Sequence, residues 1–402
     1  MKRLIFLLIL ALALTACAGE AEPTTVPVTT VPVTTEPTAV TTDPTLPPET
    51  TIPPTQEELL LESMGLRQKI GQLFFVAPES LVPDQAPVRA FSEELAAALE
   101  EYPVGGIILF ADNLENPEQL KTLNAALSAA GETPMFLGVD EEGGVVARLA
   151  NHSNFSLPRY RSAASVGASG NPEDAFDMGK TIGTYLREYG FHVDFAPVAD
   201  VNTNPRNPII GTRAFSSDAE LAAQLVEAMA DGLNDAGITA SYKHFPGHGD
   251  TAEDSHAGIA VSWKTEEEML GCEWLPFRSA GERDFVMVGH VAVPELTGDM
   301  TPATMSYRMV TEKLKGELGF SGLVITDSMS MGAVTKTWSA GEAAVNALNA
   351  GCDILLMPED LPVAFEAVLA AVEEGIFPEE QLDGIVLRIL RFKIEAGLLP
   401  KE

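Results

Sequence analysis

The chain has 402 residues, 46% of them apolar, with 58 acidic against 25 basic side chains and a formal net charge of −33. Charge of that sign and size argues against binding nucleic acid or an anionic membrane surface through bulk electrostatics. Three cysteines are too few for a disulfide framework.

The first residues, MKRLIFLLILALALTAC, place Lys2 and Arg3 before an apolar run from Leu4 to Leu14. That run is too short for a comfortable membrane span and reads as a secretory signal, 1–16. The order Leu14, Thr15, Ala16, Cys17 resembles a bacterial lipobox, which implies lipid on the Cys17 thiol and attachment to the membrane through that lipid alone. Residues 18–55 are a Thr/Pro tract with repeated TTVPVTT units, unable to bury a core, and are expected to be an extended tether. Cys272 and Cys352 fall in different predicted elements and are expected to be unpaired and buried.

From residue 56 onward, short apolar runs alternate with amphipathic stretches. The runs are 71–78, 104–111, 135–142, 192–200, 238–245, 285–292, 322–329 and 352–358. Helix-like segments at 116–131, 171–190, 217–237 and 339–351 open on Asn or Ser caps and close on Gly. Eight such units predict an α/β fold, a (β/α)8 TIM-like barrel over 56–402, with an open doubly wound sheet as the alternative. In a barrel, working side chains gather where the strands end. Asp140 and Glu142 end the third run, Asp200 the fourth, Lys243 and His244 the fifth; His290 lies in the sixth and Asp327 ends the seventh.

Asp327, in GLVITDSMSMGA, is a carboxylate at a strand end; it either faces the barrel mouth or caps the next helix. In KHFPGHGDTAEDSH (243–256), Pro246, Gly247 and Gly249 force a non-helical excursion, and Asp254 stands two residues before His256. A carboxylate paired to one imidazole nitrogen raises the basicity of the other, which suits general acid/base work. His244, His248, His256 and Asp250 could instead hold a metal, but their spacing fits neither the H-E-x-x-H nor the Cys/His zinc pattern. No G-x-S-x-G elbow or dinucleotide fingerprint is present. No metal and no cofactor are expected. Arg148 and Arg213 read either as ligand contacts or as ion-pair partners of Asp140 and Asp200.

GVDEEGGVVARL, FAPVADVNTNPRNPIIGTRAFS, KHFPGHGDTAEDSH and GLVITDSMSMGA, in this order, resemble glycoside hydrolase family 3, specifically its β-N-acetylhexosaminidase branch, over about 58–398. The resemblance implies a retaining enzyme with Asp327 as nucleophile and His256, supported by Asp254, as acid/base. It also implies that Asp140, Arg148, Arg213, Lys243 and His244 bind the non-reducing sugar, with His290 at a further pocket position. The expected substrates are N-acetylglucosamine-containing oligosaccharides or muropeptides, acted on by a monomer. A β-glucosidase, xylosidase or phosphorylase of the same family, a metal-dependent hydrolase and a silent sugar-binding lipoprotein are the alternatives. Two departures stand out. Glu141 replaces the Gln of many relatives, which is expected to add charge near Asp140, and the second α/β domain of some relatives is not expected, as in the single-domain members.

Overall fold

Each of the eight apolar runs contains a strand: β1 (Phe74–Val76), β2 (Gly106–Leu109), β3 (Phe136–Val139), β4 (Val193–Asp194), β5 (Thr239–Phe245), β6 (Phe285–Val288), β7 (Leu323–Thr326) and β8 (Leu355–Leu356). The computed structural model describes residues 53–252 and 258–400; the signal, Cys17, nearly all of the tether, Asp254 and His256 lie outside them. The strands pair only in parallel, in the order β7–β6–β5–β4–β3–β2–β1–β8. Ile325 bridges Ile354, and the Thr326 and Met329 N–H groups donate to Ile354 and Leu356, joining β7 to β8. The ring is therefore closed, and the open doubly wound alternative is excluded.

A helix follows each strand: α1 (Glu93–Glu101), α2 (Pro117–Ser128), α3 (Pro172–Glu188), α4 (Ala219–Asp235), α5 (Glu266–Gly271), the π-helical α6 (Arg308–Glu317), α7 (Ala340–Ala350) and α8 (Leu361–Glu373), with α9 (Glu379–Glu395) closing the chain. The starts follow local chemistry. Asn116 and Asn171 cap α2 and α3 with Pro in the first turn, and Ser339 forms a capping box with Glu342 on α7. On α4 the cap is Asp218 rather than Ser217.

Inside the ring, size alternates. Phe75 meets Phe195 edge-on at 5.4 Å, and a β-carbon on Gly106 or Gly138 would lie 2.5 or 2.8 Å from the Phe75 ring. These glycines leave the volume that the two aromatic rings fill. At the N-terminal pole, Phe285 packs on Phe136 and on Phe392 of α9. Beside them Lys393 is fully buried, with Nζ 5.3 Å from the Phe136 ring centroid and 2.5 Å from Gln72 Oε1. Burial, with no carboxylate partner among the described residues, drops its pKa to about 7.

Of the two cysteines described, both unpaired, Cys352 is buried as expected but Cys272 is only partly covered, because it ends the short α5. His192, assigned only local importance, accepts the Leu137 N–H on Nδ1 at 3.0 Å. Burial and the nearby Arg187 and Lys393 lower its pKa to about 4, so it is neutral.

Candidate active site

At the C-terminal ends of the strands lies a cavity of about 490 Å³, lined among others by Asp140, Glu142, Arg148, Arg213, Lys243, His244, His248 and Asp327. Its other walls are apolar: Ile108, Phe110, Phe195, Met287, Met331 and Met357. A larger cavity, about 600 Å³, lies at the opposite pole beside Gln72, Pro103 and Met135. There Arg67 pairs with Glu366, and Glu100 and Glu132 are exposed, so the chemistry belongs to the first cavity.

The polar wall is built from the ends of β3 and β5. Beyond β3, Asp140 and Glu142 face the cavity and Glu141, between them, faces away, as strand periodicity requires. The segment Glu141–Gly143 then pairs antiparallel with Val146–Ala147. Gly143 and Gly144 make that reversal with φ of 80° and 66°, a region that a β-carbon disfavours. The hairpin returns Arg148 to Asp140, with Nη2 2.9 Å from Oδ2.

Strand β5 carries a register shift against β6 between Lys243 and Phe245. An irregularity of this kind breaks the alternation of faces, and both Lys243 and His244 line the cavity. Lys243 Nζ lies 2.8 Å from Asp140 Oδ1 and 2.6 Å from Glu142 Oε1. Arg213 grips Glu142 with two parallel bonds of 2.8 and 2.7 Å. Two carboxylates and three cations thus form one network. Burial alone would raise the Asp140 and Glu142 pKa values; Lys243 with Arg148, and Lys243 with Arg213, outweigh it and hold both carboxyls below the usual range. Both are ionised at neutral pH.

Asp327 follows β7 directly and lines the cavity, and its Oδ1 accepts the Ser328 N–H at 2.8 Å. Burial pushes its pKa up, but the nearby His244 and His290 rings and that hydrogen bond lower it overall. It is an ionised carboxylate facing a cavity, which is what attack on carbon requires.

Three sequence expectations change, and the metal alternative finds no cluster among the described residues. His290 is fully buried outside the cavity lining, with Nδ1 2.9 Å from Thr304 Oγ1 and Nε2 2.9 Å from the Ser328 carbonyl; it supports the Asp327 turn from behind. Glu141 adds no charge to the cavity, because its carboxylate accepts the Leu149 and Ala150 N–H groups and the Tyr185 hydroxyl, each at 2.8 Å. Arg213 pairs with Glu142 rather than Asp200. The suggested metal ligands disperse among the described residues: His244 turns to Asp200, His248 to Thr251, and Asp250 to Ser262.

Glu142, marked at the end of the third run, carried no binding role there, although the i, i+2 spacing from Asp140 places it on the same face. Asn204 and Asn207 carried no mark in the sequence. Their side-chain amides donate to the Thr251 and His248 carbonyls at 3.0 and 2.7 Å and brace the loop after β5. Gly249 completes the join, because a β-carbon there would lie 1.9 Å from the Val201 carbonyl oxygen.

A closed parallel barrel with an ionised carboxylate at one strand end and a charged wall lining the same cavity is an arrangement compatible with a barrel glycosidase. Residues 65–392 match the family described as the glycosyl hydrolase family 3 N terminal domain, and the chain belongs to that family. It is 39% identical over 272 residues to a beta-hexosaminidase of Pseudomonas aeruginosa (strain LESB58), covering 67% of this chain and 79% of the relative. It is 32% identical over 337 residues to beta-hexosaminidase A of Pseudoalteromonas piscicida, covering 77% of this chain but 56% of the relative. A solved family 3 beta-N-acetylglucosaminidase from Paenibacillus sp. str. FPU-7 superimposes with a TM-score of 0.77 at 37% identity, covering 84% of this chain and 63% of that one. The chain therefore spans under two thirds of the length of two of these three proteins.

Proposed function

We propose that this chain is an exo-acting, retaining β-N-acetylglucosaminidase that removes terminal β-linked N-acetylhexosamine from cell-wall or chitin-derived glycans. The observation that carries the reading is the ionised Asp327 facing, across one cavity, the Asp140–Lys243–Glu142 cluster. In this reading the cluster orients the sugar: Asp140 accepts from hydroxyls, Lys243, Arg148 and Arg213 donate to hydroxyl or acetamido oxygens, and His244 contacts a hydroxyl through Nε2. Asp327 attacks the anomeric carbon as the bond to the leaving oxygen breaks, and that oxygen takes a proton from the His256 imidazolium. His256 then removes a proton from water, whose oxygen displaces Asp327 from the anomeric carbon. Asp254 fixes the imidazole. The roles of His256 and Asp254 rest on the DSH triplet and the family resemblance.

The cations favour hydrolysis over transfer to phosphate. Lys243, Arg148 and Arg213 share Asp140 and Glu142 as ion-pair partners, and Asp327 brings the carboxylates lining the cavity to three against these three cations, which suits a neutral sugar more than an anionic acceptor. The test compares turnover of chromogenic N-acetylglucosaminide and glucoside, with and without inorganic phosphate. A preference for the N-acetylglucosaminide that phosphate leaves unchanged is expected; glucoside preference or phosphate-dependent turnover would overturn the assignment.

The same reading places the enzyme outside the cytoplasm, as a monomer held to the membrane by lipid on Cys17 through the Thr/Pro tether. Cys17→Ser is expected to move activity from the membrane to the soluble fraction, and unchanged sedimentation would remove the anchor.

A further inference from the structure

Beneath the cavity, Asp200 is fully buried and the sugar-binding assignments give it no role. Its Oδ2 lies 2.7 Å from His244 Nδ1. Its Oδ1 accepts the His248 N–H at 2.6 Å and the His244 N–H at 3.3 Å. With Oδ1 holding two backbone N–H groups, Oδ2 serves as the acceptor of this contact, which assigns its proton to His244 Nδ1. That leaves Nε2 as the nitrogen of this cavity-lining ring for the cavity. The charged and titratable groups nearest the imidazole are Asp200 beneath, Lys243 and His248 along the chain, and Asp327 across the cavity.

We propose that Asp200 is a positioning residue of the reaction. It acts through His244, fixing the imidazole with Nδ1 protonated and Nε2 turned toward the substrate, and it ties the start of the loop after β5 to the barrel through the His248 N–H. One carboxylate thus sets both the tautomer of a sugar-contacting ring and the path of the backbone beside it. The arrangement follows the general rule that the partner of one ring nitrogen decides what the other presents. The inference rests on the glycosidase reading only for its activity readout.

The test is Asp200→Asn. The amide oxygen can still accept the two backbone N–H groups, but its NH2 group cannot accept from Nδ1–H, so the ring must change to the Nε2–H tautomer. Nitrogen-15 NMR of the full chain is expected to show His244 protonated on Nδ1 in the wild type and on Nε2 in the variant. The thermal midpoint should stay near wild type, while kcat/KM for the chromogenic N-acetylglucosaminide falls about 10- to 100-fold. In a His244→Ala background the same substitution should cost little further. An equal loss in that background, or a wild-type His244 without a proton on Nδ1, would overturn the proposal. The wild-type spectrum needs neither a folded variant nor turnover, so it decides the hydrogen-bond assignment even if N-acetylglucosaminide is the wrong substrate.

Discussion

Asp327→Asn lowers kcat on a chromogenic N-acetylglucosaminide by about 10³-fold or more, corresponding to at least ~4 kcal/mol of lost transition-state stabilisation. The amide keeps the shape and can still accept the Ser328 N–H, so the turn after β7 survives. What disappears is the negative charge, and with it both the nucleophile and the electrostatic partner of a positively charged transition state. The fold is expected to stay intact with a slightly lower thermal midpoint at neutral pH, because a carboxyl whose pKa the fold lowers contributes stability when ionised and the amide does not. A complementary measurement separates nucleophile from scaffold. In Asp327→Ala, added azide should restore turnover and give a glycosyl azide of inverted configuration, since a small anion can occupy the vacated position and attack once. Wild-type activity in Asp327→Asn would refute the assignment outright.

Lys393→Met stabilises the protein by about 1–3 kcal/mol at pH 6, and the gain shrinks toward pH 10. The sign follows from linkage. The folded-state pKa is lowered from the ordinary lysine value of 10.5 to about 7. Between those values the unfolded chain holds a proton that the native chain does not, so wild-type stability rises with pH across that window. Below pH 7 both states are protonated, and the native state carries the full cost of an ammonium group buried against Phe136 with Gln72 as its hydrogen-bond partner. Methionine removes that cost at similar volume, less about 1 kcal/mol for leaving Gln72 Oε1 without its donor. Denaturant unfolding at the two pH values checks the prediction. Equal gains at both, or a loss at pH 6, would show that the lysine is not desolvated.

Much of this was legible in the chain. Eight apolar runs sufficed for a parallel barrel because strands buried on both faces show continuous hydrophobicity rather than alternation. Polar residues at the ends of those runs then marked one pole. Less legible was what the charges do to one another. Side chains at 140, 141 and 142 look equivalent in a list, yet the pleat sends Asp140 and Glu142 to the cavity and Glu141 to the backbone of 149 and 150. His290 sits two residues beyond β6 and reads like a cavity residue, but its side chain points behind the next turn to the Ser328 carbonyl. Lys393 could have been found: it falls four residues after Ile389, on the stripe that buries Ile385, Ile389 and Phe392. A cation on an apolar stripe is a signal in its own right.

The irregularity at Lys243–His244 has a consequence for anyone moving this chemistry to another scaffold. A regular strand can point only every second residue into a cavity, so a neighbouring Lys-His pair grafted onto one would divide between inside and outside. The local break in register doubles the density of functional groups that one strand end can deliver. A transplant must therefore carry the backbone defect along with the two side chains, or it inherits half of the pair.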